Sequence, residues 1–155
     1  AQEKFDLAAG AMPSEFIDYA ANAPVENGFD FRLISRRSKH RYNSNGHTFP
    51  KLIEKMPTNP AFFNPGDLAA AGIEDGAIIE ITSPTASIFG LAKADDKVRP
   101  GVISMSHAFG DSDAGKDDVM TKGGSTNRLI VDNDHLDPIT GQAIQSAIPV
   151  RVSAA

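Results

Sequence analysis

Residues 78–92, with the sequence IIEITSPTASIFGLA, carry the clearest structural signal in the chain. Two runs rich in β-branched and aromatic residues flank the triplet Ser83, Pro84 and Thr85. Proline fixes φ at about −65° and cannot donate to a strand ladder. The pattern therefore predicts two β-strands joined by a tight turn.

Other short strand-like runs lie on both sides of this hairpin. Residues 31–34 (FRLI) look like a buried strand, and similar runs occupy residues 102–105, 128–131 and 148–152. Residues 66–72 (GDLAAAG) predict one short helix, with Asn64 or Asp67 near its N-cap and Gly72 as its C-terminal stop. Short strands separated by glycine and proline, with few helices, predict a mainly β domain with short helices, a small barrel or a sandwich.

The residues before the first strand differ from this β-rich body. Residues 1–29 are rich in alanine and end in the turn signal Asn27-Gly28. Ser14 after Pro13 predicts the N-cap of a short helix within this leader. The chain has 155 residues, which suits one domain of roughly 100–150 residues. We therefore predict a leader or linker over residues 1–29 and a single domain over residues 30–155.

Composition and charge exclude several classes of protein. The chain has 15 basic and 20 acidic residues and a net charge of −5, which argues against nucleic-acid binding. It has no cysteine, so it can hold neither a cysteine-ligated iron–sulfur cluster nor a thiol nucleophile. No apolar run approaches the roughly 20 residues of a membrane span. The location in the cell stays unknown, although the lack of cysteine leans toward the cytoplasm.

Motifs for catalysis and metal binding are missing from the sequence. Neither a G-x-S-x-G elbow nor a G-x-G-x-x-G fingerprint occurs. Residues 110–116 (GDSDAGK) resemble a P-loop, but Asp117 stands where a hydroxyl should reach magnesium. The four histidines are scattered without the i, i+4 spacing of a zinc helix. We expect no catalytic residue and no metal ligand; a self-sufficient hydrolase would need a nucleophile–base pair that the sequence does not show.

Residues 36–41 (RRSKHR) are the densest cationic stretch, with four of the 15 basic residues in six positions directly after a predicted strand. A solvated surface run is one interpretation. The other is an anion site, because arginine offers a planar fork for phosphate oxygens while hydroxyl and backbone N–H groups serve the remaining acceptors. A pyrophosphate would suit it. The candidate ligands are Ser35, Arg36, Arg37, Ser38, Lys39, His40 and Arg41.

Five segments, taken in chain order, are similar to one known domain. They are residues 32–37 (RLISRR), 63–76 (FNPGDLAAAGIEDG), 81–84 (ITSP), 98–103 (VRPGVI) and 137–141 (DPITG). The sequence resembles the C-terminal molybdopterin-dinucleotide-binding domain of the dimethyl sulfoxide reductase superfamily of molybdenum and tungsten oxidoreductases. The resemblance runs from about residue 30 to the end and implies a double-psi β-barrel.

This resemblance also implies a cofactor and partners. The cofactor would be molybdopterin guanine dinucleotide, in the bis form with molybdenum or tungsten, and the metal ligand and any iron–sulfur cluster would lie in other domains. The chain would bind and orient the cofactor as the C-terminal domain or small subunit of the oxidoreductase, without being catalytic alone. Its partners would be the remaining catalytic domains or a large subunit. The alternative is a stand-alone double-psi barrel that recognises other proteins, with its basic loop binding an acidic peptide.

The resemblance adds further residues to the expected cofactor site. The loop at residues 35–41 would contact the pterin or its pyrophosphate. His107 and Phe109 lie in a stretch that matches a His-Gly-Trp-Gly-like loop of some relatives, with Ala108 and Phe109 replacing Gly and Trp. Asn127 aligns with an asparagine near the pterin, and Gln145 stands where relatives often place a polar residue.

Two residues near the predicted helix are candidates for contact with the guanine. They are Asn64 and Asp67. Both have a competing role, because asparagine and aspartate at the start of a helix commonly cap its free N–H groups. The sequence alone favours that capping role.

Overall fold

Six short strands form most of the regular structure in the computed structural model, which describes residues 12–21, 28–110, 116–131, 136–137 and 140–155. The strands are β1 (Phe31–Arg36), β2 (Pro60–Phe63), β3 (Ile78–Thr82), β4 (Ser87–Ala94), β5 (Val102–Ser106) and β6 (Ile148–Ala154). The α-helices are α1 (Met12–Ala21), α2 (Pro50–Lys55) and α3 (Pro65–Ala71). Two short 3₁₀ helices span Lys116–Met120 and Thr126–Leu129.

The strands close into a barrel in the order β1-β5-β2-β4-β3-β6. Strands β1 and β5 run parallel, with Arg32 beside Val102 and Arg36 beside Ser106. Strands β2 and β4 are the second parallel pair, and the other neighbours are antiparallel. Parallel partners need crossover connections, and each parallel pair here joins strands that are not consecutive in the chain. The fold is the expected double-psi β-barrel.

The hydrophobic core fills the inside of this barrel. Strand β3 shows the alternation that a barrel requires, since Ile79 and Ile81 are fully buried and Glu80 between them is not. Leu33 of β1 is also fully buried, and the Phe63 ring packs edge-to-face on Phe31 with ring centres 5.7 Å apart. Burial of each such side chain stabilises the fold by about 1.5–3 kcal/mol.

The hairpin and the helix caps confirm the sequence predictions. The Ser83 N–H donates to the Ala86 carbonyl at 2.8 Å and closes the turn between β3 and β4. At the start of α3, the Asn64 side chain accepts from the Gly66 N–H at 2.9 Å. Gly72 ends α3 in the left-handed conformation with φ of 65°, which a residue without Cβ adopts readily.

Three local expectations were wrong. Strand β1 continues past residue 34 through Ser35 and Arg36, because its parallel pairing with β5 extends to that point. Residues 128–131 do not form a strand; Leu129 closes a 3₁₀ helix whose first residue, Thr126, is buried with it. Helix α1 begins at Met12 rather than after Ser14, and proline is tolerated in the first helical turn.

Candidate functional site

The parallel pairing of β1 and β5 places two loops side by side. Arg36 and Ser106 end their strands as neighbours, so residues 37–47 and residues 107–110 leave the same end of the barrel. Two cavities open around these strand exits. One, of about 410 Å³, is called the basic cavity here, and the other, of about 310 Å³, the aromatic cavity.

The basic cavity collects most of the cationic stretch that the sequence singled out. Its charged lining comes from the first strand exit and from Lys55 at the end of α2, and Met56, Pro60 and Phe62 supply an apolar wall. Further polar groups come from Thr58, Asn59 and Ser106. Among the residues that the structure describes, no carboxylate lines it. The predicted residues that line it are Arg36, Arg37, Ser38, Lys39 and His40.

Arg36 is neutralised within the fold. Its guanidinium forms an ion pair with Asp95 at 2.9 Å and lies 3.9 Å above the ring centre of Phe62. The Lys97 backbone N–H, and then Arg36, hold the pKa of Asp95 below its usual value. The positive charge of the cavity therefore comes from Arg37, Lys39 and Lys55 rather than from Arg36.

A chain of hydrogen bonds connects the two strand exits. Arg37 donates through Nη1 to Asn43 Oδ1 at 2.8 Å, and the same oxygen lies 3.2 Å from Nε2 of His107. On its other side, Nδ1 of His107 lies 2.9 Å from the hydroxyl of Ser35. Sequence analysis did not identify Asn43, because its role depends on the meeting of residues 64 positions apart.

Arg41 faces inward, unlike the other cations of the stretch. It is only 6% exposed, and its guanidinium donates to the carbonyls of Gly46 and Met56, both at 2.8 Å. Burial lowers its pKa, and its Nε is buried without a hydrogen-bond partner. Arg41 lines neither cavity, so the structure gives it the geometry of a brace between two loops instead of a ligand.

The aromatic cavity brings together three residues assigned by resemblance. His107, Phe109 and Asn127 all line it, together with His47. The ring of His47 meets Phe109 edge-on at 5.0 Å, and its Nε2 donates to the Ala108 carbonyl at 2.7 Å. Sequence analysis gave His47 no role, and an isolated histidine in a loop carries no signal of such a contact.

Asn59 holds the backbone at the end of β5 through its side-chain amide. It is fully buried, and its Nδ2 donates to the carbonyls of Ser106 at 2.8 Å and Gly124 at 2.9 Å. Its Oδ1 accepts from the Ser106 N–H at 3.2 Å. A Cβ on Gly123 would lie 2.6 Å from Asn59 Cβ, so only glycine lets this loop approach so closely. Sequence analysis missed Asn59 because it precedes a strand that was not predicted.

Three candidates lie apart from the cavities. Asn64 caps α3 and donates to the Val98 carbonyl, while Asp67 accepts from the Gly101 N–H at 2.8 Å. Gly101 precedes β5, so both side chains are at the opposite end of that strand from Ser106; Asn64 caps α3 as expected, whereas Asp67 bonds the Gly101 backbone and does not cap the helix. Gln145 is exposed three residues before β6 and lines neither cavity.

The donor set of the basic cavity fits an anionic organic group better than a metal. Guanidinium, ammonium, imidazole and hydroxyl groups are donors for phosphate oxygens, and the apolar wall suits a flat ring. Within the part of the chain that the structure describes, no cluster of three His, Cys, Asp or Glu side chains could hold a metal ion. None of the described helices has the length and apolar character needed to cross a membrane. These residues fit a dinucleotide cofactor.

Comparison with known proteins gives sequence relatives for most of the chain. It is 34% identical over 139 residues to the arsenate respiratory reductase molybdopterin-containing subunit ArrA of Shewanella sp. (strain ANA-3), covering 79% of this chain and 16% of that protein. It is 28% identical over 108 residues to the dimethyl sulfoxide/trimethylamine N-oxide reductase of Cereibacter sphaeroides, covering 67% and 13%. The chain thus spans about a sixth or less of the length of these relatives.

A solved structure and a family model agree with these matches. The acetylene hydratase from Pelobacter acetylenicus superposes on 88% of this chain, and on 20% of its own, with a TM-score of 0.72 at 17% identity, which supports the fold. Residues 31–148 match the sequence model of the molydopterin dinucleotide binding domain. The chain belongs to this family, the molybdopterin-dinucleotide-binding domain of the dimethyl sulfoxide reductase superfamily.

Proposed function

We propose that this chain binds and orients molybdopterin guanine dinucleotide as the cofactor-binding domain of a molybdenum or tungsten oxidoreductase. The observation that carries the proposal is a cavity that the described residues line with several cations and no carboxylate, at a strand exit of a barrel from this family. A site of that charge attracts an anion strongly even though the whole chain has a net charge of −5.

The residues of the basic cavity divide by chemistry. Arg37 and Lys39 would bind the pyrophosphate with charge-assisted hydrogen bonds, and Lys55 would add charge from α2. Ser38 and His40 would supply further polar contacts. The apolar wall would exclude water from one side of the bound group, which strengthens these electrostatic contacts.

The aromatic cavity would hold another part of the same ligand. Phe109 offers an aromatic surface, and Asn127 offers an amide that can both donate and accept. The bound cofactor supplies the redox chemistry. This chain contributes binding, orientation and exclusion of water, without a catalytic residue of its own.

The proposed assembly includes more protein than this chain. The matched segments make up only 16%, 13% and 14% of the relatives, so we assign the remaining catalytic functions, including the metal ligand, to other domains or to a large subunit. We propose the bis form of the cofactor, a leader over residues 1–29 and a binding domain over residues 30–155. The named relatives are reductases, which does not favour the alternative of a stand-alone protein-recognition barrel.

A charge-reversal experiment tests the proposal. The double variant R37E/K39E, made in the full protein that carries this chain, places two carboxylates in the basic cavity. Each lost charge-assisted contact is worth about 1.5–3 kcal/mol, so bound cofactor should fall more than about tenfold. Cofactor content is measured as guanine nucleotide released on denaturation, by mass spectrometry, with molybdenum and tungsten measured on the same sample.

A matched control separates the cavity from total charge. The double variant R99E/K122E makes the same change in net charge at two exposed residues that line neither cavity. It should retain the cofactor content of the wild type. Full cofactor content in R37E/K39E would refute the proposed site.

A further inference from the structure

We infer that Asn43 is a positioning residue that sets both the tautomer of His107 and the direction of the Arg37 guanidinium. This inference rests on the proposed function, since the two residues it positions line the two cavities assigned to the cofactor. Asn43 itself lines neither cavity. Its effect on the cofactor would therefore pass through its neighbours.

The hydrogen-bond chemistry of arginine fixes the orientation of the Asn43 amide. A guanidinium has only donors, and Nη1 of Arg37 lies 2.8 Å from Oδ1 of Asn43. Rotating the amide by 180° would place its NH₂ against that guanidinium, donor against donor. The oxygen of Asn43 must therefore face this point.

The same oxygen fixes the tautomer of His107. Oδ1 of Asn43 lies 3.2 Å from Nε2 of His107, and an amide oxygen can only accept. Nε2 therefore carries the hydrogen, which leaves the lone pair of the neutral ring on Nδ1. That lone pair accepts from the Ser35 hydroxyl at 2.9 Å. Both ring nitrogens of His107 therefore form hydrogen bonds within the protein. The carbon atoms of the ring are left to line the aromatic cavity.

The backbone at this position also suits asparagine. Asn43 has φ of 50°, in the left-handed region that side chains other than those of glycine, asparagine and aspartate rarely adopt. Tyr42 and Asn45 form an isolated β-bridge around it, and the Asn45 N–H donates to the Tyr42 carbonyl at 2.9 Å. The turn therefore points one amide oxygen at both strand exits.

Two substitutions separate the amide oxygen from the backbone conformation. Asn43→Gly keeps the left-handed backbone and removes the side chain, whereas Asn43→Asp keeps an acceptor oxygen and tolerates the same φ. Because aspartate restores the acceptor, it should restore the His107 tautomer that glycine loses. A purely structural role of the turn would be satisfied by glycine and would show no such difference.

The first measurement reads the His107 ring directly in the 155-residue chain. Histidine is labelled with ¹⁵N, spectra are recorded at about pH 9, where imidazole is neutral, and His107 is assigned by its loss in His107→Gln. We expect the Nε2–H form in the wild type and in Asn43→Asp, and averaging between tautomers in Asn43→Gly. His47 is the internal reference, since its Nε2 donates to the Ala108 carbonyl, a bond in which residue 43 takes no part. A wild-type ring protonated on Nδ1, or an unchanged pattern in Asn43→Gly, would overturn the inference.

The second measurement is cofactor content in the full protein, beside the R37E/K39E variant. We expect a loss of about threefold to tenfold in Asn43→Gly, since one hydrogen bond to a charged group is lost, and only partial recovery in Asn43→Asp, because its charge competes with the phosphate for Arg37. Loss in R37E/K39E with full content in Asn43→Gly overturns the positioning role and leaves the proposed function standing. Full content in every variant overturns the proposed function and the positioning role together.

Discussion

Replacing Asn59 by alanine should destabilise the fold more than any exposed substitution near the cavities. The side chain is fully buried and makes three hydrogen bonds to backbone groups of Ser106 and Gly124. Truncation removes these bonds, and each buried group that loses its partner costs about 1–3 kcal/mol. Because such costs are not fully additive, we expect the free energy of unfolding to fall by about 3–5 kcal/mol. That is a large share of the roughly 5–15 kcal/mol of an ordinary domain.

Aspartate at the same position tests the direction of these bonds. One carboxylate oxygen of Asn59→Asp can still accept from the Ser106 N–H, but the other would face two carbonyl oxygens. The folded state then favours the protonated acid, so the pKa of the new carboxyl rises above its unfolded value of about 3.9. Stability from this group is present below about pH 3.9 and is lost as pH rises through the folded pKa. The gap in stability between this variant and the wild type should therefore widen from pH 4 to pH 7.

Urea unfolding at pH 4 and pH 7 measures both effects. The wild type serves as the reference at each pH, which removes the contribution of other titrating groups. Asn45→Ala is the control, because Asn45 is exposed and no side-chain hydrogen bond holds it, so its effect should stay within about 0.5 kcal/mol. An Asn59→Ala protein within 1 kcal/mol of the wild type, roughly the value of one hydrogen bond, would refute the reasoning.

Three further predictions concern the loops and one carboxylate. Gly124→Ala should lower the urea midpoint by the equivalent of about 2 kcal/mol or more, because its Cβ would collide with the Phe89 carbonyl oxygen; an unchanged midpoint would contradict this packing. Ala147→Gly should raise stability by about 0.5 kcal/mol in calorimetry, because a φ of 60° strains alanine. Part of the gain is lost because glycine raises the conformational entropy of the unfolded chain; a lower melting temperature would count against the prediction. Carbon-13 NMR should show the pKa of Asp95 below its ordinary value, because the Lys97 N–H donates to it, so its contribution to stability is present above about pH 4 and is lost as pH falls through the folded pKa; a midpoint at or above about 3.9 would disprove it.

The elements that depend on contacts between neighbours in the sequence could be predicted from the sequence. The hairpin of β3 and β4 depends on a turn of four residues, and the cap of α3 depends on Asn64 and its neighbour two positions on. Residues 128–131 predict a strand because a short apolar run has no periodicity that separates a strand from a helix, but Arg128 and Leu129 belong to the 3₁₀ helix Thr126–Leu129. Strand β2 was missed because four residues that begin with proline give too short a pattern.

The direction of each cation in the basic stretch could not be read from the sequence. Strand pairing extends to Arg36, and Asp95, 59 positions away, then neutralises it. Arg41 turns inward because two carbonyls, at Gly46 and Met56, are free to accept from it. Charge density therefore predicted the stretch that lines the basic cavity, but the number of cations facing that cavity depends on partners that only the closed barrel brings near.

The residues that fix the two strand exits are amides, and their neutrality matters for an anion site. Asn59 forms hydrogen bonds with the backbone of Ser106. Asn43 forms hydrogen bonds with the side chains of His107, the next residue, and of Arg37. Amide hydrogen bonds are directional and specify the path of both loops. Carboxylates could make some of the same bonds, but a charge at Asn43 would lie 2.8 Å from Arg37 and compete with phosphate for it. Neutral amides therefore order both loops without placing a negative charge beside the cations of the basic cavity.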